Sequence, residues 1–586
     1  MSSRALAALP WALAAACLVY DPAAPAAATK RSFALLFGVV GVAWLLVRRR
    51  ASARPHGALL MLTACGAWLA LSAVYGGGER WLRLGNWAAM LSLAFALTSL
   101  GDATSRVIAG RTALLVTVGT LVWLFASWAL AARGMHLHAG QGNPNWAGMV
   151  LAVAWPLAFG DRIVRERRWA TALLAAAVAS GLALTESRVA WVASGVAWLV
   201  VIALGNSRRE RLLAGLQLVV LLVSVAVHER PAQRAMVRHE ARAVEAAPRS
   251  VELDRSAPTS LRGRIWIARN AGRAALDVLP LGAGLGNFYP RFLEAQGRAL
   301  QRLAPAEASR RFSNATTAHN DWIELAVEAG PLAPLLLLLA FALALRASVR
   351  SRALEFAAAL LVAAICALGD SPLHLPAVSV LLALGFGALP ASERALPASE
   401  RAPSKGWKAL AVASLLFAGF LLSRSVADWL AARFATAAFA ADSPRERLRS
   451  CERAARLAPD SAERVLELGL ARRDNGDTRG ALVALERASQ LGGGVASAIA
   501  LGAAALDAEQ PGRAHAAFER ALSWSPGSAR AHTGLSEALR RLGSLEQAER
   551  HAVLAAELLP GNSDLRARID AIREQRMDRE LDLSPP

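Results

Sequence analysis

Cysteine is scarce in this chain and never clustered. Its four copies, Cys17, Cys65, Cys366 and Cys451, lie far apart, and the first three fall in apolar segments where a thiol behaves as a small hydrophobe. Their spacing fits neither a disulfide framework nor a zinc site. No recognised nucleic-acid-binding module is present either, so the formal charge of +20 does not point to DNA or RNA. Nearly all the cations are arginine, which cytoplasmic loops of membrane proteins collect for topological reasons. Ionisable residues are almost absent from the middle of the apolar runs. That argues against a transporter, whose pathways need them there.

What the chain has instead is hydrocarbon. With 586 residues, 55% hydrophobic content, a mean hydropathy of +0.35 and 17 tryptophans, it is too apolar, and too interrupted by long apolar runs, for one soluble domain. Measured against the roughly 20 residues a spanning helix needs, residues 5 to 426 contain thirteen candidate spans, one of them over 321–345. The N-terminus could pass for a signal peptide, but an uncleaved first span makes the topology consistent. If Met1 is cytoplasmic, the inside loops hold "RRRASAR", "GDRIVRERR", "NSRRER" and "RASVRSR". The short outside loops "GGGERWLR", "TESR" and "GDSPLH" hold few cations. This is the positive-inside pattern. A long basic loop, 229–320, falls outside with 15 Arg against 8 acidic residues, which the rule permits for long loops. An amphipathic helix on anionic headgroups would also account for it.

Beyond residue 430 the composition turns to Ala, Leu, Arg and Glu, and Pro459, Pro526 and Pro560 are spaced by 67 and 34 residues. Aligned on those prolines, Leu468, Leu501 and Leu535 share one position and Gly469, Gly502 and Ser536 the next. Ala481, Ala514 and Ala548 share a third, and Ala488, Ala521 and Ala555 a fourth. A period near 34 with small residues where helices approach resembles the tetratricopeptide repeat, a solenoid that docks protein partners or serves as a structural cap. The expected fold is therefore all-α. It comprises a polytopic bundle of about 12–13 transmembrane helices over 1–228 and 321–428, an extracytoplasmic loop over 229–320, a repeat solenoid over 429–575 and a tail over 576–586. An odd number of spans places the repeats outside.

Four polar stretches interrupt this background on the outer face: "GNPNWAG", "TESRVAW", "RGRIWIARN" leading to "LPLGAGLGNF", and "AHNDWIELAVEAG". Arg188 sits between two spans, where a costly charge either faces a partner or snorkels to the surface. Its planar, always-charged fork suits phosphate oxygens. Asn143 and Asn145 bracket Pro144 before a span, so helix capping explains them as well as substrate contact does. His136 and His138 lack further ligands, so no metal site is expected. His319 immediately precedes a helix and could take a proton from an attacking hydroxyl. Asp321, Glu324 and Glu328 follow on one helical stripe. The helix dipole favours the first two, while Glu328 lies deeper and could pair with an Arg.

These stretches together resemble the O-antigen ligase and polymerase superfamily of lipid-linked oligosaccharide transferases, over roughly residues 30–390. The resemblance implies an enzyme of the bacterial inner membrane, multi-pass, with its repeats in the periplasm. It implies transfer of a glycan from undecaprenyl diphosphate to the hydroxyl of a lipid, glycan or protein acceptor, without a metal or other cofactor. In this picture His319 is the base or acceptor-positioning group. Arg188 with Arg264 or Arg262 holds the diphosphate, Arg80 and Arg83 are further candidates, and Asn143, Asn145, Asn320 and Glu328 line the substrate site. A polymerase or a protein O-oligosaccharyltransferase would share this chemistry. A non-enzymatic transport or assembly scaffold for polysaccharide is the alternative of another class.

Overall fold

A computed structural model describes residues 3–48, 56–131, 141, 143–205, 207–208, 210–227, 261–389 and 405–582. His136, His138 and the stretch 229–260 of the expected loop lie outside the described residues. The described residues form helices joined by turns and irregular loops, with no strand among them. They divide into two compact units that are not blocks of sequence. One is drawn from Met1–Val74, Trp81–Val251 and His319–Trp429. The other is drawn from Tyr75–Arg80, Glu252–Ala318 and Leu430–Pro586.

The first unit is the membrane part. Five described helices are long and apolar enough to cross a bilayer: Gly57–Tyr75, Asp102–Ala129, Glu210–Val227, Leu332–Arg350 and Val412–Phe439, the last running on into the other unit. Further apolar helices, among them Arg168–Leu184, Arg188–Leu204, Leu354–Gly369 and Pro376–Gly387, are shorter. The span expected over 321–345 is two helices, Asp321–Ala329 and Leu332–Arg350. Gly330 separates them with φ of 70°, a left-handed conformation that glycine adopts without penalty. Pro331 follows and cannot supply an N–H to continue the first helix. Helix Leu354–Gly369 packs on both Arg188–Leu204 and Pro144–Ala158. Cys17, Cys65 and Cys366 are buried and unpaired, as is Cys451 in the other unit.

The second unit joins the repeats to helices within residues 261–318. Helix Pro444–Leu457 is followed by three packed pairs, Ala462–Asp474 with Thr478–Gln490, Gly494–Asp507 with Pro511–Trp524 and Ala529–Arg541 with Leu545–Leu558, and then by Ser563–Asp582, which runs past the expected end at 575. The aligned small positions are where the helices touch. Ala481, Ala514, Ala548, Ala488, Ala521 and Ala555 are fully buried. A Cβ on Gly469 would stand 2.6 Å from the Leu485 side chain, and one on Gly502 2.7 Å from Phe518. Nothing larger fits without moving a neighbour.

Candidate active site

His319 is held at φ of 47°, in the left-handed region, a sparsely populated conformation for a residue with a side chain. Its partner is Asp370: His319 Nδ1 lies 3.3 Å from Asp370 Oδ1, and the same carboxylate oxygen accepts the Ser371 N–H at 2.9 Å. An ionised carboxylate can only accept, so His319 carries its proton on Nδ1 and presents Nε2 as the free acceptor. The imidazole remains 36% exposed, while Asp370 is 9% exposed. Asn320 caps the helix that follows, its Oδ1 accepting the Ile323 N–H at 3.0 Å, and its amide donates to Leu368 O at 2.9 Å. Both motif residues are thereby tied to the end of helix Leu354–Gly369.

Behind them lies a buried charge cluster. Arg83 pairs with Glu324 and, at 2.8 Å, with Glu328. Both carboxylates are almost fully buried, and the Arg83 side chain is 14% exposed. The guanidinium that the sequence offers to a diphosphate is thus engaged by two carboxylates of the chain itself. Glu328, two turns into its helix, has the arginine partner its depth calls for. His374 Nε2 stands 3.0 Å from Glu324 Oε1 and 3.7 Å from Asp321 Oδ1, and Asp321 Oδ2 accepts the Leu373 N–H at 2.9 Å. Burial works against a charged imidazole at His374. The nearby carboxylates, Glu324 first, outweigh both burial and Arg83 and hold its pKa above the ordinary histidine range.

Arg188 opens helix Arg188–Leu204 and is exposed. The preceding Glu186 has φ of 53°, and burial raises its pKa against the pull of Arg188. Two of the polar stretches meet at this turn, since a Cβ on Gly148 would lie 2.6 Å from Thr185 Oγ1 and 2.9 Å from Ser187 Cβ. Asn143 caps its helix, with Oδ1 accepting the Asn145 N–H at 2.8 Å. Val189, next to Arg188, touches Gly369, next to Asp370: a Cβ on Gly369 would stand 2.7 Å from Val189 Cγ2. Val189, the neighbour of Arg188, and His319 thus both meet the turn Gly369–Asp370.

The remaining arginines belong to the second unit. Arg80 donates to Gly76 O. Arg262 and Arg264 lie in the first turn of Leu261–Asp277, Arg262 exposed and Arg264 half-buried. Across both units Arg80, Arg83, Arg188, Arg262 and Arg264 all fall in first helical turns. That end of a helix carries the positive pole of the macrodipole, so cations there are favourable only when an anion joins them. For Arg83 the anions are Glu324 and Glu328.

Sequence reasoning misses Asp370 and His374. Both lie in "GDSPLH", read there only as a short outer loop. The available signal is an Asp and a His within one six-residue loop between apolar segments.

The O-antigen ligase family matches residues 170–338, a segment that contains Arg188, Arg262, Arg264, His319, Asn320, Glu324 and Glu328. The tetratricopeptide repeat family matches residues 505–568. No curated protein matches the chain. Among solved structures it is similar to MamA residues 41-end from Desulfovibrio magneticus RS-1, at 21% identity over 26% of this chain and 88% of that one, with a TM-score of 0.25. It is also similar to yeast Tom70, at 12% identity over 89% of this chain and 98% of that one, with a TM-score of 0.24. The chain is a membrane protein that carries a domain of the O-antigen ligase enzyme family followed by tetratricopeptide repeats.

Proposed function

We propose that the protein transfers a glycan from undecaprenyl diphosphate to an acceptor hydroxyl at the outer face of the bacterial inner membrane, with its repeats in the periplasm. The observation that carries this reading is the pairing of His319, which lies within the stretch matching the ligase family, with Asp370 beyond it. Nε2 of His319 takes the proton from the acceptor hydroxyl as the oxygen attacks the anomeric carbon. The bond from that carbon to the phosphate oxygen breaks, the diphosphate leaves with the electron pair, and the configuration inverts. Asp370 fixes the tautomer and steadies the imidazolium that forms, the role a buried carboxylate plays beside any such base.

Charge growing on the leaving diphosphate is met by guanidiniums already in place, which need no reorganisation at the moment of reaction. Arg188 takes this role: it is exposed at a helix start, where the dipole reinforces an anion site, and one residue along the chain touches the turn that bears Asp370. Arg262 and Arg264 are the second set, and Arg80 accompanies them. Asn145, Asn320 and Glu328 shape the site, Glu328 by holding Arg83. The lipid-linked glycan is the donor, and lipid, glycan and protein hydroxyls are the acceptors to be tried.

The test is reconstitution of the purified protein in lipid with an undecaprenyl-diphosphate-linked glycan and a panel of lipid A-core, glycan and protein acceptors, each with and without chelator. Transfer to one of these that survives chelator and is lost in His319→Ala and Arg188→Ala is expected. Transfer undiminished in folded His319→Ala would overturn the reading.

A further inference from the structure

Helix Phe288–Leu300 of the extracytoplasmic loop is seated on the edge of the repeat solenoid. Its Leu293 is fully buried with Val495, Ala498, Ala521, Trp524 and Ala531 of the repeats. The approach is backbone to backbone: a Cβ on Gly297 would lie 2.4 Å from Ser523 O, and one on Gly527 2.3 Å from Pro305 O. Gln301 donates to Ser523 O at 3.2 Å. At Gly494, which has φ of 64°, a Cβ would meet the Tyr289 hydroxyl at 2.4 Å. All these repeat residues lie in or beside the turns between successive repeats. The occupant of that edge is the chain's own loop.

One residue carries this contact onward to the arginine-bearing helix. Gln296 is fully buried, and its side chain makes three hydrogen bonds. Its Oε1 accepts from Trp266 Nε1 at 3.3 Å and from the Ser313 N–H at 2.9 Å, while its Nε2 donates to Ser313 O at 2.9 Å. Trp266 is two residues beyond Arg264, and Arg311 lies over its ring at 5.9 Å. Gln296 adjoins Gly297, where the helix meets the repeats. A buried amide held by three bonds to two elements is fixed in orientation, and replacing it leaves buried polar partners unmatched. It therefore fixes where Leu261–Asp277, with Arg262 and Arg264, stands relative to the repeats.

We propose that Gln296 is a positioning residue for the transfer reaction, through which the repeat domain acts in cis on the helix that carries Arg262 and Arg264. This rests on the reading of those arginines as diphosphate ligands. The repeats are then a brace for the donor-binding segment, in addition to any protein they recruit.

The experiment measures binding of radiolabelled undecaprenyl diphosphate to the full-length protein in nanodiscs, with thermal unfolding recorded on the same samples. Arg262→Ala and Arg264→Ala test the underlying reading: at least one should weaken binding, and if neither does, that reading falls and the proposal with it. Given a weakened arginine variant, Gln296→Leu should raise the dissociation constant by about tenfold, comparable with losing a well-made buried hydrogen bond. Combined with the weakened arginine variant it should add little further, because both changes act on one contact. Unaltered binding in folded Gln296→Leu, or an effect that adds fully to that of the arginine variant, overturns the proposal alone. Gly297→Ala keeps every Gln296 bond but pushes the helix off the repeat edge. It should also weaken binding, and it decides the matter if Gln296→Leu does not fold: normal binding in Gly297→Ala then overturns the proposal.

Discussion

His319 Nδ1 lies 3.3 Å from Asp370 Oδ1, although the two residues are 51 positions apart. The pair makes one nitrogen a donor and leaves the other to accept. Asp370→Asn would keep the shape and put the tautomer in doubt, because an amide can donate as well as accept. We expect folded Asp370→Asn to lose between about 10²- and 10⁴-fold in turnover, the range for a misdirected general base, with donor binding retained. Turnover from the reconstituted system and binding of undecaprenyl diphosphate measure the two effects separately.

Arg188 should tolerate neither alanine nor lysine. A lysine restores the charge but not the planar fork that meets two phosphate oxygens at once. Arg188→Lys is expected to recover only a small part of the donor affinity lost in Arg188→Ala. Full recovery would mean that charge alone matters at the start of this helix.

Arg83 neutralises two carboxylates that are almost completely buried. Removing one partner of such a group strands the other charges away from water, which costs about 3–5 kcal/mol. Arg83→Met should therefore lower the unfolding temperature sharply in detergent. Replacing Arg83, Glu324 and Glu328 together with apolar residues should recover much of that stability.

The repeats carry their own response to acid. His532 and His551 stack with ring centroids 5.1 Å apart and Nδ1 atoms 2.9 Å apart, and His532 Nε2 donates to Pro526 O at 3.0 Å. The shared contact thus needs one bare nitrogen. Burial, aided by His532 and His515, lowers the His551 pKa from 6.5 to about 4. A folded pKa below the unfolded one means that the unfolded chain binds the proton first. The contribution to stability is complete above about 6.5 and is lost as the pH falls toward about 4. Hydrogen exchange in helix Ala529–Arg541 should accelerate across that window, and His551→Phe should flatten the response.

Much of this architecture was legible in the chain because it is local. The small residues at Gly469, Gly502 and the aligned alanines declare helix contacts through their size alone, and all of them are buried. His319 stands out because a polar motif precedes an apolar helix. Hydropathy could not reveal the break at Gly330, since it measures affinity for hydrocarbon and is blind to backbone direction. Nor could it pair His319 with Asp370, or Arg83 with Glu324 and Glu328, because those partners meet only after the helices have packed. No local pattern could announce that residues 261–318 share a unit with the repeats, because the apolar face of Phe288–Leu300 finds its partner some two hundred positions away.

That seating has a bearing on how the protein is made. Residues 288–313 leave the ribosome long before Val495, Trp524 and Ala531, against which Leu293 is buried. During synthesis the loop must therefore wait with its greasy side uncovered until the last third of the message has been read. A premature stop before residue 531 would deprive the loop of its seat as well as the chain of its tail.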